Sequence, residues 1–376
     1  MRSFDVLIVG GGPAGSSCAW KLRHSGLRVA VLDRASFPRD KVCAGWITPQ
    51  VVEELELDLE DYAKSHTCQA FHGFRVGAFG GDDVAVDYGT PVSFGIRRCE
   101  FDTHLLRRSG AELLLGESVR SLRSIEGGWV VNEAVKASLL VGAGGHFCPV
   151  VRLLEPVATE PGVVVAAQEV EFALDGRAAA ACSVRPELPE LYFMDDLQGY
   201  GWAVRKGAYL NVGLGRQDSR DLGAHVARFL DFLHARGGLP PGSPRKLRGH
   251  AYLLYGLSPR PLVRDRLLLV GDAAGLADPR SGEGIRPAIE SGLLAAGVVL
   301  ESKGRFDRAC LLPYEQAMVQ RFGRRDARSL SVLSTLVPSA LRPRIARWAL
   351  ASPFVAKHLI LDRWFLHRDL APLPAG

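Results

Sequence analysis

The chain has 376 residues, of which 47% are hydrophobic and 23% charged, with 41 glycines, 22 prolines and a formal net charge of +5. This composition excludes collagen-like and largely disordered chains, and the length suits two or three domains. We find no apolar run of the roughly 18 residues that a transmembrane helix needs. The first residues predict a strand rather than a signal peptide, so we expect a cytoplasmic protein.

The placement of cysteines and charges narrows the function classes further. The seven cysteines are scattered and include no C-x-x-C pair, so we predict neither a disulfide framework nor a metal site. Residues 301–376 carry 13 Lys and Arg against 6 Asp and Glu, which makes the tail basic. No zinc-finger, basic-zipper or RNA-recognition signature accompanies these charges, and nucleic acid is not an expected partner.

The first elements of the chain predict a nucleotide-binding βαβ unit. Residues 4–10 (FDVLIVG) form an apolar run with Asp5 as its one charged residue, which is typical of a buried parallel strand. A helix is predicted from Pro13 to about Ser25, followed by a second strand over 28–33. We expect this unit to open a doubly wound α/β fold.

A glycine-rich turn joins the first strand to the helix. Residues 10–15 read GGGPAG and fit G-x-G-x-x-G, in which the glycines allow a tight turn, close approach of a pyrophosphate and close helix packing. Asp33, at the end of the second strand, can accept hydrogen bonds from a ribose 2′-hydroxyl. The pattern favours FAD or NAD; a glycine turn without a ligand is the alternative.

The middle of the chain alternates short strands with a few helices. The elements that we expect there are a loop over 36–50, a helix over 49–57, a strand running into a helix over 94–110, short strands over 111–141, and an antiparallel sheet over 160–257 that includes a helix over 219–236.

A second glycine motif follows the sheet region. The sequence VGDAAG at 270–275 comes after an apolar strand and puts Asp272 where a carboxylate can bind a polyol such as the ribityl chain of a flavin. Gly282 and Gly284 then precede a helix whose N-terminus favours negative charge, as on the ring edge of a reduced flavin. The motif therefore favours FAD over NAD.

The two nucleotide-type segments flank a β-rich insertion, which predicts a discontinuous Rossmann-type domain in an α/β fold. We expect an FAD-binding domain made of residues 1–75, 97–158 and 258–305. A substrate-binding β-sheet domain is expected over 76–96 and 159–257. The last 65 residues are predicted as helices broken at Pro338, Pro343 and Pro353, within a C-terminal segment over 306–376.

Three further stretches carry a resemblance to a known family. With the glycine motifs, RCEFD at 98–102 resembles the p-hydroxybenzoate hydroxylase-like FAD superfamily, whose cofactor domain is glutathione-reductase-like. Within it, PRDKVCAG at 38–45 and YGWAVRK at 200–206 are similar to the PRxKxCGG and YxWxFPK motifs of the geranylgeranyl reductase family. The resemblance spans about residues 4–301 and implies alkene reduction by FAD, with NADPH or another external electron donor.

Together the motifs and the resemblance predict a set of FAD-binding positions. They are Gly10, Gly12, Pro13, Ala14, Gly15, Asp33, Arg34, Ala44, Gly45, Arg98, Val119, Gly271, Asp272, Gly282, Gly284 and Ile285. Three departures from the family stand out: Ala44 replaces a glycine, Val204-Arg205 replaces Phe-Pro, and the usual ADG reads AGG at 143–145. The missing Asp of ADG counts against NADPH-coupled hydroxylation.

The resemblance also assigns catalytic and substrate-binding roles. Cys43, Tyr200 and Trp202 are predicted catalytic residues, and Tyr200, Trp202 and Lys206 predicted substrate-binding residues. Cys43 is either a flavin neighbour or a small core side chain, and the two aromatics suit either a polyisoprenoid pocket or ordinary packing. Lys206 either meets a diphosphate or lipid head group or is a solvated lysine.

Two histidines and the tail leave further alternatives open. His146 and His250 are acid–base candidates or structural side chains. The tail interleaves Trp348, Phe354, Trp364 and Phe365 with arginines and lysines, which suits contact with a membrane surface or a helix pair that caps the pocket. The basic positions in question are Arg342, Arg344, Arg347, Lys357 and Arg363.

The sequence therefore predicts an FAD-dependent oxidoreductase that saturates carbon–carbon double bonds of an isoprenoid or other hydrophobic substrate. The expected partner is a hydrophobic small molecule or lipid, with peripheral contact to the inner face of the membrane through the tail. The main alternative is a monooxygenase that acts on an aromatic or polyketide-like substrate. A flavin-dependent cyclase or halogenase and a flavin-loaded scaffold without turnover are weaker alternatives.

Overall fold

The computed structural model describes residues 1–154, 163–257, 260–324 and 350–373. Within these ranges the strands form an eight-stranded sheet, a seven-stranded sheet and a small three-stranded sheet. The mixed α/β fold class predicted from the sequence is confirmed.

The elements are labelled in chain order. The strands are β1 (Arg2–Val9), β2 (Val29–Asp33), β3 (Trp46–Ile47), β4 (Cys68–Phe71), β5 (Gly73–Ala78), β6 (Asp83–Asp87), β7 (Ser93–Ile96), β8 (Glu112–Leu115), β9 (Leu122–Ile125), β10 (Gly128–Val131), β11 (Val135–Gly142), β12 (Val164–Ala173), β13 (Glu190–Phe193), β14 (Gly199–Lys206), β15 (Tyr209–Arg216), β16 (Arg248–Leu253), β17 (Val263–Arg264) and β18 (Leu267–Leu269). The helices are α1 (Pro13–Leu22), α2 (Pro49–Glu54), α3 (Leu59–Ala63), α4 (Arg98–Arg107), α5 (Pro149–Leu154), α6 (Gly176–Ala181), α7 (Leu222–Ala235), α8 (Ile285–Glu301), α9 (Arg308–Leu311), α10 (Pro313–Phe322) and α11 (Pro353–Val355), which continues as a π-helix over Ala356–Phe365.

The eight-stranded sheet has the nucleotide-binding topology that the first motif predicts. Its main order is β17-β18-β11-β1-β2-β8, in which β1 runs parallel to both β11 and β2. Off this path, β10 pairs antiparallel with β11, and β9 pairs with β10. The apolar run of β1 is buried because the strand lies in the middle of the sheet. Helix α1 ends at Leu22, three residues before the predicted end.

The seven-stranded sheet has the order β16-β12-β15-β14-β13-β5-β6. The strands that lie within residues 163–257 pair antiparallel with one another, as predicted, and β13 also runs parallel to β5. Strand β5 spans Gly73–Ala78, so the predicted domain limit between residues 75 and 76 falls inside a strand. The other domain limits remain predictions, and those at 158 and 258 lie outside the described residues.

The described part of the C-terminal segment packs against the rest of the chain. The predicted break at Pro353 is present: residue 350 is helical, residues 351 and 352 are not, and Pro353 begins α11, where a proline in the first helical turn is tolerated. The predicted breaks at Pro338 and Pro343 lie outside the described residues. In the described ranges, no helix combines the length and apolar character needed to cross a membrane.

Candidate active site

A cavity of about 680 Å³ lies between the two large sheets and is lined by residues from both. This volume is within the usual range of small-molecule sites. The start of α1, the end of β2 and the start of α8 contribute from the nucleotide-binding side, and β14 and β16 contribute from the seven-stranded sheet.

The glycine turn at residues 10–15 brings backbone close to this cavity. Gly10 has φ +120°, and a Cβ there would lie 2.3 Å from the Ala143 carbonyl oxygen. A Cβ on Gly15 would lie 1.9 Å from the Gly10 carbonyl oxygen, so this glycine allows α1 to pack on the turn. Gly12 is the N-cap of α1 and faces the cavity, where unpaired first-turn amides and the helix dipole favour an anion.

Asp33 lies at the end of β2 with its carboxylate held by backbone amides. Its Oδ2 accepts a hydrogen bond from the Gly11 amide at 2.8 Å, and its Oδ1 accepts one from the Ala35 amide at 2.8 Å. Each carboxylate oxygen can accept a further bond, as a ribose hydroxyl requires. Arg34 and Val119 line the same part of the cavity.

The motif at 98–102 fixes an arginine in the cavity wall. Arg98 donates two hydrogen bonds to the Asp102 carboxylate, at 2.8 and 2.9 Å, and both side chains are buried. Arg39 Nη2 lies 3.2 Å from Asp102 Oδ2, and the same nitrogen faces Gly12. Arg39 was absent from the predicted site, although it belongs to the PRDK stretch that carried the resemblance.

A cluster of three ionisable side chains lines the cavity beside the second glycine motif. Lys41 Nζ lies 2.5 Å from His250 Nε2, which in turn lies 3.9 Å from Asp272 Oδ2. Burial lowers the pKa of Lys41 to about 8, against the opposing charge of Asp272. Burial also lowers the pKa of His250.

Asp272 remains ionised in this cluster. Burial alone would raise its pKa, but the neighbouring His250 and the Lys41 charge together outweigh burial and lower it. Lys41 is a lining residue that sequence reasoning missed. His250 was only one of two open acid–base alternatives, and its place in this cluster depends on the pairing of β16 with β12.

The second glycine motif also forms part of the wall. Gly282 has φ +70°, and a Cβ there would lie 2.4 Å from the Tyr252 hydroxyl. A Cβ on Gly284 would lie 3.4 Å from Asp272 Oδ1, and α8 begins at the next residue, Ile285. These glycines let backbone and a helix N-terminus border the cavity, as the motif predicts.

Tyr200 and Trp202 lie next to each other on one face of β14, as their spacing predicts. Their ring centroids are 6.0 Å apart, and both side chains line the cavity together with Cys43. The Tyr200 hydroxyl donates to the Ser281 carbonyl at 2.5 Å, and Trp202 Nε1 donates to Asn211 Oδ1 at 2.8 Å. Burial raises the pKa of Tyr200 well above its ordinary value, so the phenol keeps its proton.

Lys206 does not have the predicted substrate-binding position. Its side chain is fully buried and does not line the cavity. The ammonium donates to the Ala44 and Ile96 carbonyls at 3.0 Å each and lies 2.5 Å from Glu171 Oε2. Since these partners satisfy the ammonium, the prediction that it meets a diphosphate or lipid head group was wrong.

A buried polar network lies beneath the loop that carries Cys43. Asn211 Nδ2 donates to the Cys43 carbonyl at 3.1 Å and to Glu169 Oε2 at 3.2 Å. Burial raises the pKa of Glu169 to about 7, although the Lys206 charge and the Asn211 hydrogen bond oppose the shift. Sequence reasoning missed Glu169 and Asn211, because nothing in their local pattern indicates that β12 and β15 face this loop.

The residues present fit FAD. The cavity combines glycine backbones at two helix N-termini, a ribose-type acceptor at Asp33 and a polyol-type acceptor at Asp272. Among the sixteen predicted FAD-binding positions, all except Gly15 line the cavity, and Gly15 packs behind the turn. Their contact with the cofactor itself remains a prediction.

Comparison with known proteins assigns the chemistry class. The FAD dependent oxidoreductase (DAO) family model matches residues 5–75. The menaquinone reductase of Mycobacterium tuberculosis strain H37Rv is 32% identical over 361 residues, which cover 89% of this chain and 84% of the relative. The geranylgeranyl diphosphate reductase of Rhodobacter capsulatus is 30% identical over 309 residues, covering 78% of this chain and 74% of the relative.

A solved structure shares the whole fold. The geranylgeranyl bacteriochlorophyll reductase-like protein of Thermoplasma acidophilum superposes with a TM-score of 0.73 and 23% identity, covering 100% of this chain and 94% of the other. The overall fold described above is therefore similar to one that is already known from a crystal structure.

Proposed function

Because the chain belongs to the geranylgeranyl reductase family of FAD-dependent oxidoreductases, we propose that it saturates carbon–carbon double bonds in the isoprenoid chain of a hydrophobic substrate. The observation that carries the proposal is the aromatic end of the cavity, where Tyr200 and Trp202 adjoin the Cys43 loop and the Gly282 loop. An apolar chain is the ligand that such a surface binds best.

Reduced FAD, when bound, supplies the hydride for one alkene carbon. The protein holds the cofactor with backbone at the two glycine motifs and with Asp33 and Asp272. The aromatic side chains orient the alkene and exclude water. Such positioning is worth roughly 7–11 kcal/mol in well-oriented systems, which matters for an alkene that polarises poorly.

The other alkene carbon needs a proton. We assign this role to the Cys43 thiol or to a water that it positions, because Cys43 lines the cavity beside the aromatic pair. Tyr200 keeps its proton at neutral pH, and its hydroxyl is committed to the Ser281 carbonyl. Its contribution is therefore to position the chain rather than to donate the proton.

The proposed substrate class rests on the isoprenoid chain rather than on a particular head group. The two relatives are named for menaquinone and geranylgeranyl diphosphate, which share that chain. In this protein Lys206 is buried and satisfied, so the diphosphate contact expected from the YxWxFPK resemblance does not support a diphosphate substrate. The electron donor, NADPH or another reductant, is part of the same proposal.

Contact with a membrane surface is a further part of the proposal. On the C-terminal helix, Phe354 is 72% exposed and Leu359 is 41% exposed, and the basic Lys357 and Arg363 lie on the same helix. This combination suits an anionic membrane interface that holds a lipid substrate. Phe365 is buried and does not belong to that surface, while Trp348, Arg342, Arg344 and Arg347 lie outside the described residues.

The decisive experiment excludes oxygen. Holoenzyme reduced with dithionite is mixed anaerobically with geranylgeraniol, geranylgeranyl diphosphate and a menaquinone, and flavin reoxidation is followed optically with products weighed by mass spectrometry. We expect reoxidation without oxygen and a gain of two hydrogens that fragmentation locates in the isoprenoid chain, because reduction of the menaquinone ring alone also adds two hydrogens. The monooxygenase alternative would instead leave the flavin reduced until air is admitted and then yield a product 16 mass units heavier.

A matched variant separates the proton donor from the rest of the site. Cys43→Ala should keep FAD and substrate binding while reducing turnover by roughly 10²-fold, the lower range for loss of a general acid. Cys68→Ala is the control, because Cys68 does not line the cavity. Unchanged turnover in Cys43→Ala would assign the proton to another group.

A further inference from the structure

The C-terminal helix delivers one aromatic side chain to the cavity. Phe365, the last residue of the π-helix, is fully buried and lines the cavity. Its ring centroid lies 5.3 Å from that of Tyr200 in an edge-to-face arrangement, and 6.1 and 6.3 Å from those of Trp46 and Phe193. Phe365 therefore adjoins one of the two aromatics on β14 that the proposed function places against the substrate.

The residues after the helix hold Phe365 in place. Arg286, in the first turn of α8, donates to the Leu370 and Ala371 carbonyls at 3.1 and 3.2 Å. The Leu373 amide donates to Glu54 Oε1 at 3.0 Å. These contacts tie the end of the chain to buried side chains of α2 and α8, so the wall at Phe365 has a fixed place.

An ion pair also joins this segment to the second glycine motif. His367 Nε2 lies 3.1 Å from Glu283 Oε2, and Glu283 is the residue between Gly282 and Gly284. The wall is thus connected directly to the loop that borders the predicted flavin site. A chain that binds between this loop and β14 must end at Phe365 or displace it.

We propose that Phe365 is a specificity-determining residue that closes the aromatic end of the cavity and limits how far an apolar chain extends past Tyr200. The inference rests on the proposed function for the identity of the chain. Replacing a buried phenylalanine by alanine leaves space that hydrocarbon can fill. Each additional methylene that becomes buried is worth roughly a fourfold gain in affinity.

The test measures chain length by binding, so that it does not depend on turnover. Fully saturated isoprenoid alcohols with 10, 15, 20 and 30 carbons are titrated into FAD-loaded wild type, Phe365→Ala and Phe365→Leu in a fixed detergent, and the change in flavin absorbance reports binding. For wild type, affinity should stop rising at a short chain. In Phe365→Ala it should continue to rise, with at least a tenfold gain for the longest chains and a smaller gain in Phe365→Leu.

A matched control accounts for general loss of aromatic packing. Phe232 packs partly buried in the cluster on α7 and does not line the cavity. Phe232→Ala should therefore show the wild-type dependence on chain length. If Phe365→Ala loses FAD or melts much earlier, Phe365→Leu carries the comparison, since it keeps most of the buried volume.

The outcomes separate this inference from the proposed function. A chain-length profile in both Phe365 variants identical to that of wild type overturns the inference, even when wild type reduces isoprenoid alkenes. A shifted profile in a protein that reduces none of the unsaturated counterparts supports the wall at Phe365 and overturns the alkene reductase. In an active enzyme, the variants should also reduce a different double bond along the chain, as fragmentation of the products would show.

Discussion

Two buried ionisable side chains beneath the Cys43 loop, Lys206 and Glu169, contribute differently to the stability of the folded protein. Lys206 is fully buried, but two carbonyls and the Glu171 carboxylate satisfy its ammonium. Glu169 is buried with Asn211 as its neutral partner, and its pKa rises to about 7. The first side chain therefore stabilises the loop, whereas the second makes the folded state sensitive to pH.

Replacing Lys206 by methionine should destabilise the protein and loosen the loop. Methionine fills a similar volume but leaves the Ala44 and Ile96 carbonyls without their donor and removes a charge from Glu171. Breaking a buried pair in this way costs about 3 kcal/mol in the free energy of unfolding. Denaturant unfolding and FAD content would measure the effect.

The control for Lys206→Met is Lys246→Met, because Lys246 is exposed. We expect that variant to unfold within about 0.5 kcal/mol of wild type. A Lys206→Met protein as stable as wild type, with full FAD content, would contradict a structural role for the ammonium.

Replacing Glu169 by glutamine should remove one source of pH dependence. Between the ordinary pKa of a glutamate and the raised value of about 7, the folded state binds more protons than the unfolded state at this position. Wild-type stability should therefore fall across this window as pH rises, by at most roughly 3–4 kcal/mol relative to Glu169→Gln.

The measurement is the free energy of unfolding at several pH values from 4.5 to 8 for both proteins. Glu126→Gln, at an exposed position, should follow the wild-type curve. A constant difference between wild type and Glu169→Gln over the whole range would show that Glu169 does not titrate there.

At the residue scale, the sequence predicts the residues that line the cavity better than the buried residues that support the lining loops. Glycines and Asp33 lie at strand ends within a recognised motif, so local sequence already indicates their place. Lys206 and Glu169 become buried only because β12, β14 and β15 pair beneath a loop more than 120 residues earlier in the chain. No local pattern carries that information, and Lys206 was assigned to substrate for this reason.

At the element scale, the nucleotide-binding half depends on the close packing of α1 on α8. Gly292 lies at this contact, and a Cβ there would lie 2.2 Å from the Ala14 carbonyl oxygen and 3.2 Å from the Cys18 amide nitrogen. Since both neighbours are backbone atoms of α1, they cannot move without shifting the helix that begins at the predicted pyrophosphate site.

Gly292→Ala should therefore separate the two helices and cost about 3 kcal/mol in the free energy of unfolding. Gly297→Ala, on the same helix, is the matched control because a Cβ there meets nothing within 4 Å. That control should gain roughly 0.5–1 kcal/mol from its better helix propensity. Equal effects of the two substitutions on denaturant unfolding would contradict the packing role of Gly292.

The apolar periodicity of a strand does not identify the strand with which it pairs. Strand β5 has the apolar alternation of its neighbours, and nothing in that pattern indicates whether its partner runs parallel or antiparallel. The predicted domain limit divides β5 because β4, β5, β6 and β7 are consecutive in the chain but belong to two sheets. Strands β4 and β7 lie in the three-stranded sheet, whereas β5 and β6 lie in the seven-stranded sheet. Strand membership is decided by long-range pairing, such as that of β5 with β13.

At the scale of the whole molecule, the cavity is the place where the two large sheets meet. Its lining combines the α1 and α8 N-termini from one side with Tyr200, Trp202 and His250 from the other. A ligand that spans it would contact both halves, and its binding energy would then add to the stability of each. Sequence motifs predicted the two helix N-termini, Tyr200 and Trp202, and left His250 as an open alternative, whereas their meeting in one cavity required the fold.

Removing FAD should therefore weaken the seven-stranded sheet as well as the nucleotide-binding half. At a free FAD concentration of 100 times its Kd, linkage predicts that the holoprotein is more stable than the apoprotein by about 2.7 kcal/mol. Hydrogen exchange followed by mass spectrometry should show added protection both in residues 10–15 and in β16, which carries His250 and Tyr252. Protection confined to the nucleotide-binding half, with β16 exchanging equally in both forms, would mean that the cofactor does not link the two sheets.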